Sequence, residues 1–223
     1  MLSKYKILNL YACLGGNRYK WNDVAKEAGI EIEVTAVEWD EELARLYQER
    51  FPNDKVIVAD AHQYLLDYYK EFDFIWTSPP CPTHSRFQIS MKNKRKMKYP
   101  DMKLYEEIIF LETFFEGKFC VENVIPFYEP LIPPKKRDRH LYWTNFNLPN
   151  KLSDRGLGKN LSNMLIKELS IYHDFDFNKY NGKQLRLKMA RNLVDYEAGK
   201  TILETALNIQ KKENVNQLDI FDV

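Results

Sequence analysis

The sequence predicts an α/β protein built on a doubly wound, mostly parallel sheet. Two observations carry that expectation. Short apolar runs alternate with helix-period segments through the first half of the chain, the pattern of a parallel sheet with helices on both faces. The glycines, acids and cysteine that could carry chemistry all fall at the carboxyl ends of the expected strands, where ligands of such sheets sit. With 223 residues and 44% apolar content, the chain can bury one sizeable core.

The elements follow in order. "KYKILNL" (4–10) reads as a strand, then "GGNRYKWNDVAKEAG" as a glycine turn and helix. "IEIEVTAVEW" (30–39) is a strand. In "DEELARLYQERFP", Leu43, Tyr47 and Phe51 form a helical stripe stopped by Pro52. "KVIVAD" is a strand, "AHQYLLDYYKEF" a helix and "FDFIWTS" a strand. Over 101–117 the stripe Leu104, Ile108, Leu111 and Phe115 predicts a helix, with Gly117 as its C-cap. "KFCVENV" is the next strand. Beyond about residue 146 the pattern weakens: a polar, turn-rich stretch precedes an aromatic, irregular one. Helix returns from about 185, in two pieces, and "ENVNQLDIFDV" reads as a tail.

Composition narrows the classes. Lys+Arg (33) and Asp+Glu (32) nearly cancel, so any nucleic-acid footprint must be local. Cys13, Cys81 and Cys120 have no paired or metal-like spacing, which points to free thiols in a reducing cytosol. The four scattered histidines suggest no metal. No signal peptide is evident, and no apolar run nears the roughly 18 residues of a membrane span. The expectation is a soluble intracellular protein.

Several strand ends carry candidate sites. Paired Gly15 and Gly16 after the first strand suit a nucleotide-like ligand, or merely a tight turn. Glu38 ends the second strand about 20 residues later, the usual place of a ribose-hydroxyl acceptor. Its alternative, a solvated helix cap, fits Asp40 better. Trp39 is a stacking face or core. Asp60 could accept from an adenine amine or cap the following helix.

The most informative stretch is "WTSPPCPTHSRFQ". Prolines 79, 80 and 82 fix φ and remove N–H groups, so the segment can join neither helix nor ladder. Cys81 becomes a rigidly aimed group, the candidate nucleophile, whereas Cys120 sits inside a strand as a structural cysteine would. Glu122, at the next strand's end, is the candidate acid partner; otherwise it is salt-bridged to an arginine. Two basic stretches, "MKNKRKMK" (91–98) and "KKRDRHLYW" (135–143), adjoin these turns. Charge runs are usually solvated faces, but their position favours phosphate contact. Arg137 and Arg139, two apart, would face one way on extended chain.

Together these residues resemble the cytosine-C5 DNA methyltransferases. "LYACLGG" looks like the family's first motif, and "VEWD" and "VADAH" match the second and third. "SPPCPTHS" matches the nucleophile motif, with Pro80, Cys81 and Ser85, and "DMKLYEE" resembles the next. "VENV" matches the Glu-Asn-Val motif at Glu122, Asn123 and Val124. "KKRDRHLYWTNF" is similar to the paired-arginine motif, and "MARNLVDYEAGKTIL" to the last, with Asn192 at its asparagine. The motifs come in family order over about 5–205. Three positions depart: Cys13 and Lys135 replace the usual glycine and glutamine, and Lys188–Val194 lacks the glycine before the asparagine.

The resemblance implies a Rossmann-like, class I S-adenosylmethionine-dependent methyltransferase with a reduced target-recognition segment. The expected division is a catalytic and cofactor-binding core over 1–146, a short recognition segment over 147–185, a helical part completing the core over 186–212, and a flexible tail over 213–223. That short segment implies relaxed specificity or a partner's help. Cys81, Glu122 and Arg139 are the implied catalytic residues. Tyr11, Ala12, Gly15, Gly16, Glu38, Trp39, Asp60, Ala61, Pro79 and Asn192 are the implied S-adenosylmethionine residues. Ser85, Arg86, Lys94, Arg95 and Arg137 are the implied contacts to double-stranded DNA. Cys81 would attack carbon 6 of a flipped-out cytosine, Glu122 would serve N3, and Arg139 would hold O2 and orient Glu122.

The tail "QLDIF", Gln217–Phe221, resembles the motif by which bacterial proteins dock on the replication sliding clamp, or packs on its own domain. Such tethering would place the protein in a bacterial or phage-infected cytoplasm. Two rivals share the resemblance: a methyltransferase of the same chemistry acting on tRNA, and a catalytically silent, DNA-binding homologue.

Overall fold

A computed structural model of the chain describes residues 4–94, 96–155 and 161–209. Five strands run parallel: β1 (Tyr5–Leu10), β2 (Ile32–Glu38), β3 (Lys55–Val58), β4 (Phe74–Thr77) and β5 (Lys118–Val124). A hairpin of β6 (Lys135–Arg137) and β7 (His140–Thr144) completes the sheet, with β7 antiparallel to β5. The strand order is β3-β2-β1-β4-β5-β7-β6. The winding reverses between β1 and β4, which opens a crevice at their carboxyl ends.

Eight α-helices accompany the strands among the described residues, besides short 3₁₀ turns: α1 (Trp21–Ala28), α2 (Glu41–Arg50), α3 (Ala61–Tyr68), α4 (Phe87–Ser90), α5 (Lys103–Phe114), α6 (Ile166–His173), α7 (Arg186–Asn192) and α8 (Tyr196–Ala206). They cover both faces of the sheet. On one face Leu65 of α3 and Leu104, Ile108 and Leu111 of α5 pack on Leu8, Ile75, Phe119 and Val121. On the other, Trp21 of α1 and Ile202 and Leu203 of α8 pack on Ile7, Phe74, Trp76 and Cys120. Strands buried on both sides carry continuous apolar runs rather than alternation, as "FDFIW" does. The chain beyond residue 146 supplies a third cluster. Leu161, Leu169, Phe177, Tyr180, Met189 and Leu193 pack on Leu14 of the first turn and on Leu43 and Leu46 of α2.

Two local expectations change. The helix expected over 101–117 ends with Phe115 as its C-cap, in extended conformation, rather than Gly117. Gly117 serves a close approach instead: a Cβ there would lie 2.5 Å from the Asp73 carbonyl oxygen. The second concerns the paired arginines. Arg137 pairs with His140 across a tight turn of Asp138 and Arg139, with Asp138 at φ +50°. The chain between the arginines is therefore bent, and they do not share one face of a strand. Aspartate takes the left-handed region more readily than most residues.

The glycines show how the chain's end closes on its beginning. A Cβ on Gly16 would lie 2.4 Å from the Val194 carbonyl oxygen, and one on Gly199 would lie 2.1 Å from that of Asn17. Backbone meets backbone at both places, so neither contact can be relieved by a side chain turning aside. Gly199→Ala is expected to lower stability by about 1–3 kcal/mol, the usual range for overpacking. A denaturant midpoint equal to that of the unsubstituted protein would contradict this contact.

Candidate active site

A cavity of about 290 Å³ opens at the carboxyl ends of β1 to β4. That is close to the lower end of the roughly 300–1,000 Å³ usual for ligand sites. Tyr11, Glu38, Trp39, Asp60, Ala61 and Pro79, all expected cofactor residues, line it, with Val37, Pro80 and Leu104 as apolar walls. Trp39 is 77% exposed, so its ring is an open face rather than core. Asp60 caps α3 by accepting from the Gln63 N–H at 2.9 Å, and its other oxygen lies 3.9 Å from Lys103 Nζ. Both expectations for Asp60 are therefore compatible. Ala12, Gly15, Gly16 and Asn192 do not line the cavity. Gly15 (φ +66°) packs against Tyr47 and Phe51, while Asn192 is exposed at the end of α7, beside the Leu193–Val194 segment that covers Gly16.

Glu38 is buried at the end of β2 and braces the first turn. Its Oε2 accepts from the Cys13 N–H at 2.8 Å and its Oε1 from the Asp40 N–H at 3.1 Å. Burial pushes its carboxyl pKa up, and these backbone donors pull against that rise. Asp40, not Glu38, caps α2. Cys13 takes φ +47° and Tyr11 φ +54°, the left-handed conformation that favours glycine, the residue usual at the Cys13 position in the motif this stretch resembles. The carboxylate of Glu38 helps hold that conformation. Burial pushes the Cys13 thiol up to about 12, well out of reactive range.

Beneath the cavity lies a group the sequence reading passed over. Glu107 of α5 is fully buried. It accepts from Tyr11 Oη at 2.6 Å and Thr77 Oγ1 at 2.6 Å, and His62 Nδ1 lies 3.1 Å away. One carboxylate thus ties the ends of β1 and β4 to α3 and α5. The available signal was its place on the Leu104–Ile108–Leu111 stripe, where a glutamate cannot be a solvated surface charge.

Contrary to the expectation that this segment joins neither helix nor ladder, Cys81–Thr83 form a short 3₁₀ helix, whose first positions need no N–H, and Ser85 bridges to Pro126. The turn is held largely through its carbonyls. The Cys81 carbonyl accepts from the His84 and Ser85 N–H groups, each at 3.0 Å. The Pro79 carbonyl accepts from Asn123 Nδ2 at 2.9 Å, and the Pro82 carbonyl from Gln88 Nε2 at 2.6 Å. Asn123 is itself fixed, since its Oδ1 accepts from the Val124 N–H at 2.9 Å. Burial first, then the nearby Glu122 carboxyl, push the Cys81 thiol pKa up, with Lys188 opposing. Cys120 is fully buried in β5.

Glu122 is buried near the end of β5. Its polar neighbour is His140, with Nε2 3.5 Å from Oε1, not the arginine considered from sequence. Arg139 is exposed, and its Nη2 donates to the Arg191 carbonyl at 3.4 Å. Arg137 donates from Nε to the Pro149 carbonyl (2.5 Å), from Nη2 to that of Leu148 (2.9 Å) and from Nη1 to that of Lys136 (2.8 Å). It ties the hairpin to the start of the following segment. Lys135, in place of the family's glutamine, spends its three donors on the Thr144 carbonyl, Thr144 Oγ1 and the Phe146 carbonyl, at 2.6–2.9 Å.

The expected phosphate contacts lie on the segment after Cys81. Ser85 Oγ accepts from the Phe87 N–H at 3.2 Å, and Arg86 Nε reaches the Pro126 carbonyl at 3.4 Å. Lys94 is exposed. Arg95 lies outside the described residues, as does the whole of Gln217–Phe221. Among the described residues no group of three or more His, Cys, Asp or Glu is placed to hold a metal ion. No described helix is long and apolar enough to cross a membrane.

The Glu107 network carries a pH signature. The hydrogen bond to Glu107 is the largest influence on His62 and raises its pKa against the effect of burial. The stability His62 contributes is complete below the ordinary value near 6.5, and is lost as pH rises through the raised folded value. His62→Gln is therefore expected to lower the melting temperature more at about pH 5.5 than at about pH 9. Equal losses at both would contradict the assignment.

Comparison with known proteins bears on the family and the fold. The family described as C-5 cytosine-specific DNA methylase matches residues 5–128. No curated protein matches the chain. Among solved structures, a mutant of Spodoptera frugiperda DNMT2 is 25% identical over 54% of this chain and 36% of its own, with a TM-score of 0.38. A protein encoded within an E. coli prophage, described as a DNA modification methyltransferase, is 20% identical over 56% and 34%, with a TM-score of 0.37. The match thus spans only about a third of either of those chains. Entamoeba histolytica methyltransferase EhMeth is 11% identical over 94% of this chain and 100% of its own, with a TM-score of 0.51, which speaks to the fold alone. The sheet is that of a Rossmann-like, class I methyltransferase, and with more than half of its length matched, the chain belongs to the C-5 cytosine-specific DNA methylase family.

Proposed function

We propose that the protein transfers a methyl group from S-adenosylmethionine to carbon 5 of a flipped-out cytosine in double-stranded DNA, through a covalent bond to Cys81. The observation that carries this reading is the Asn123–Pro79 hydrogen bond (2.9 Å), which fastens the nucleophile's turn to the strand bearing Glu122. The family implies S-adenosylmethionine, and the cavity suits it. Glu38 offers a carboxylate for ribose hydroxyls, Asp60 an acceptor for the adenine amine, and Trp39 an open ring. When bound there, S-adenosylmethionine supplies an electrophilic methyl group to carbon 5.

The chain's own residues make carbon 5 receptive. Carbon 5 of cytosine is a poor nucleophile. Addition of the Cys81 thiolate to carbon 6 turns the ring into an enamine-like species. Glu122 gives a proton to N3 as the sulfur bond forms; after carbon 5 has taken the methyl group, water accepts the carbon 5 proton, the sulfur–carbon 6 bond breaks to release Cys81, and Glu122 takes the N3 proton back. Arg139, exposed on the hairpin turn, would hold the ring oxygen and orient Glu122. A target base inside a duplex is out of reach, so it must leave the stack. Residues 1–146 act as the catalytic and cofactor-binding core, 147–185 as a short recognition segment and 186–212 as the part completing the core. Ser85, Arg86, Lys94, Arg95 and Arg137 serve the DNA backbone. Docking of residues 217–221 on a sliding clamp, in a bacterial or phage-infected cytoplasm, rests on the sequence alone.

A duplex of random sequence carrying 5-fluorocytosine tests the reading. Fluorine at carbon 5 blocks the elimination that frees the enzyme. With S-adenosylmethionine present, a denaturing gel is expected to show a shifted band that vanishes in Cys81→Ala. A band on substituted RNA alone would move the substrate to RNA. No band on either, with cofactor binding intact, would leave a silent homologue.

A further inference from the structure

His140 stands where strand register puts it in reach of the proposed acid. In the antiparallel β5–β7 ladder Glu122 is opposite Tyr142 and Val124 is opposite His140. Residues 122, 124, 140 and 142 therefore share one face, and diagonal neighbours on such a face can touch through long side chains. Here they do: His140 Nε2 lies 3.5 Å from Glu122 Oε1. The Glu122 side chain is 8% exposed and that of His140 24%. The imidazole is thus the more exposed member of the pair. Its ring is set edge-on against Tyr142, with centroids 6.4 Å apart, so its plane is fixed by packing.

We propose that His140 is a positioning residue for Glu122, donating Nε2–H to Oε1 and so directing the other carboxyl oxygen to the substrate. This inference rests on the reading of Glu122 as the acid at N3. A protonated carboxyl has one accepting oxygen and one that carries the proton. A donor held at Oε1 assigns the proton to Oε2. The acid then meets the base in one orientation instead of two. Burial lowers the His140 pKa, which keeps the ring neutral near pH 7. A neutral ring donates from one nitrogen only, consistent with a hydrogen bond to Glu122 rather than a charge pair.

The test compares His140→Phe, which keeps a ring against Tyr142 without the N–H, with His140→Gln, whose amide restores a donor. Methylation of cytosine-containing duplex DNA and cofactor KM are measured for both, and for Glu122→Gln alone and combined with His140→Phe. His140→Phe is expected to lower kcat about tenfold or more with cofactor KM within about twofold, and His140→Gln to regain most of the loss. In the Glu122→Gln background His140→Phe should cost nothing further, because the group it positions has lost its acid function. An unchanged kcat in His140→Phe, or equal losses in the Phe and Gln variants, would overturn the proposal. An unimpaired Glu122→Gln would instead remove the reading of Glu122 on which it stands. Cofactor binding by each variant separates these outcomes from misfolding.

Discussion

The Cys81 turn holds itself at the Cys81 carbonyl, which accepts from the His84 and Ser85 N–H groups, but its prolines need donors from outside. Pro79, Pro80 and Pro82 carry no N–H, so at these positions the turn can be held only by its acceptors. The hydrogen bond from Asn123 to the Pro79 carbonyl meets that need from the adjacent strand. Gln88 performs the same service for the Pro82 carbonyl from the far side. A chain that places prolines around a cysteine obtains stiffness, and in exchange relies on donors placed elsewhere in the fold. The next strand therefore carries two functional groups side by side: Asn123, which points to the turn, and Glu122, which lies on the opposite face of the sheet.

Electrostatics couples these groups further. The Cys81 thiol is raised by burial and by Glu122, so a thiolate beside an ionised carboxyl is disfavoured. The cofactor side is built on the same economy of buried carboxyls. Glu38 braces the first turn through the Cys13 N–H. Glu107 joins Tyr11, at the cavity wall, to Thr77 just before the nucleophile turn. The cavity and the Cys81 turn therefore share a floor.

Much of this was legible in the sequence because it depends on local pattern. Leu43, Tyr47 and Phe51 mark the buried side of α2, and all three are buried. The apolar run of β4 and the proline turn after it needed no tertiary information. What was hidden depends on register and on long-range closure. The tight turn at Asp138 lacks the glycine that usually announces one, so Arg137 and Arg139 read as an extended pair. His140 meets Glu122 only because β7 is antiparallel to β5 with Val124 opposite it. Glu107 sits in a Glu-Glu pair that reads as surface charge until its stripe position is noticed. Gly16 and Gly199 looked like ligand or helix positions, yet each admits another backbone.

The most direct measurement is the rate at which Asn123→Ala forms the covalent adduct with 5-fluorocytosine duplex DNA, set beside its cofactor affinity. The variant frees the Pro79 carbonyl and leaves Cys81 and Glu122 in place. If the turn is held from the neighbouring strand, adduct formation should slow by about 10–100-fold while the S-adenosylmethionine dissociation constant stays within about twofold. An adduct rate equal to that of the unsubstituted protein, with cofactor binding intact, would show that the proline turn keeps its aim without Asn123 and would contradict the account.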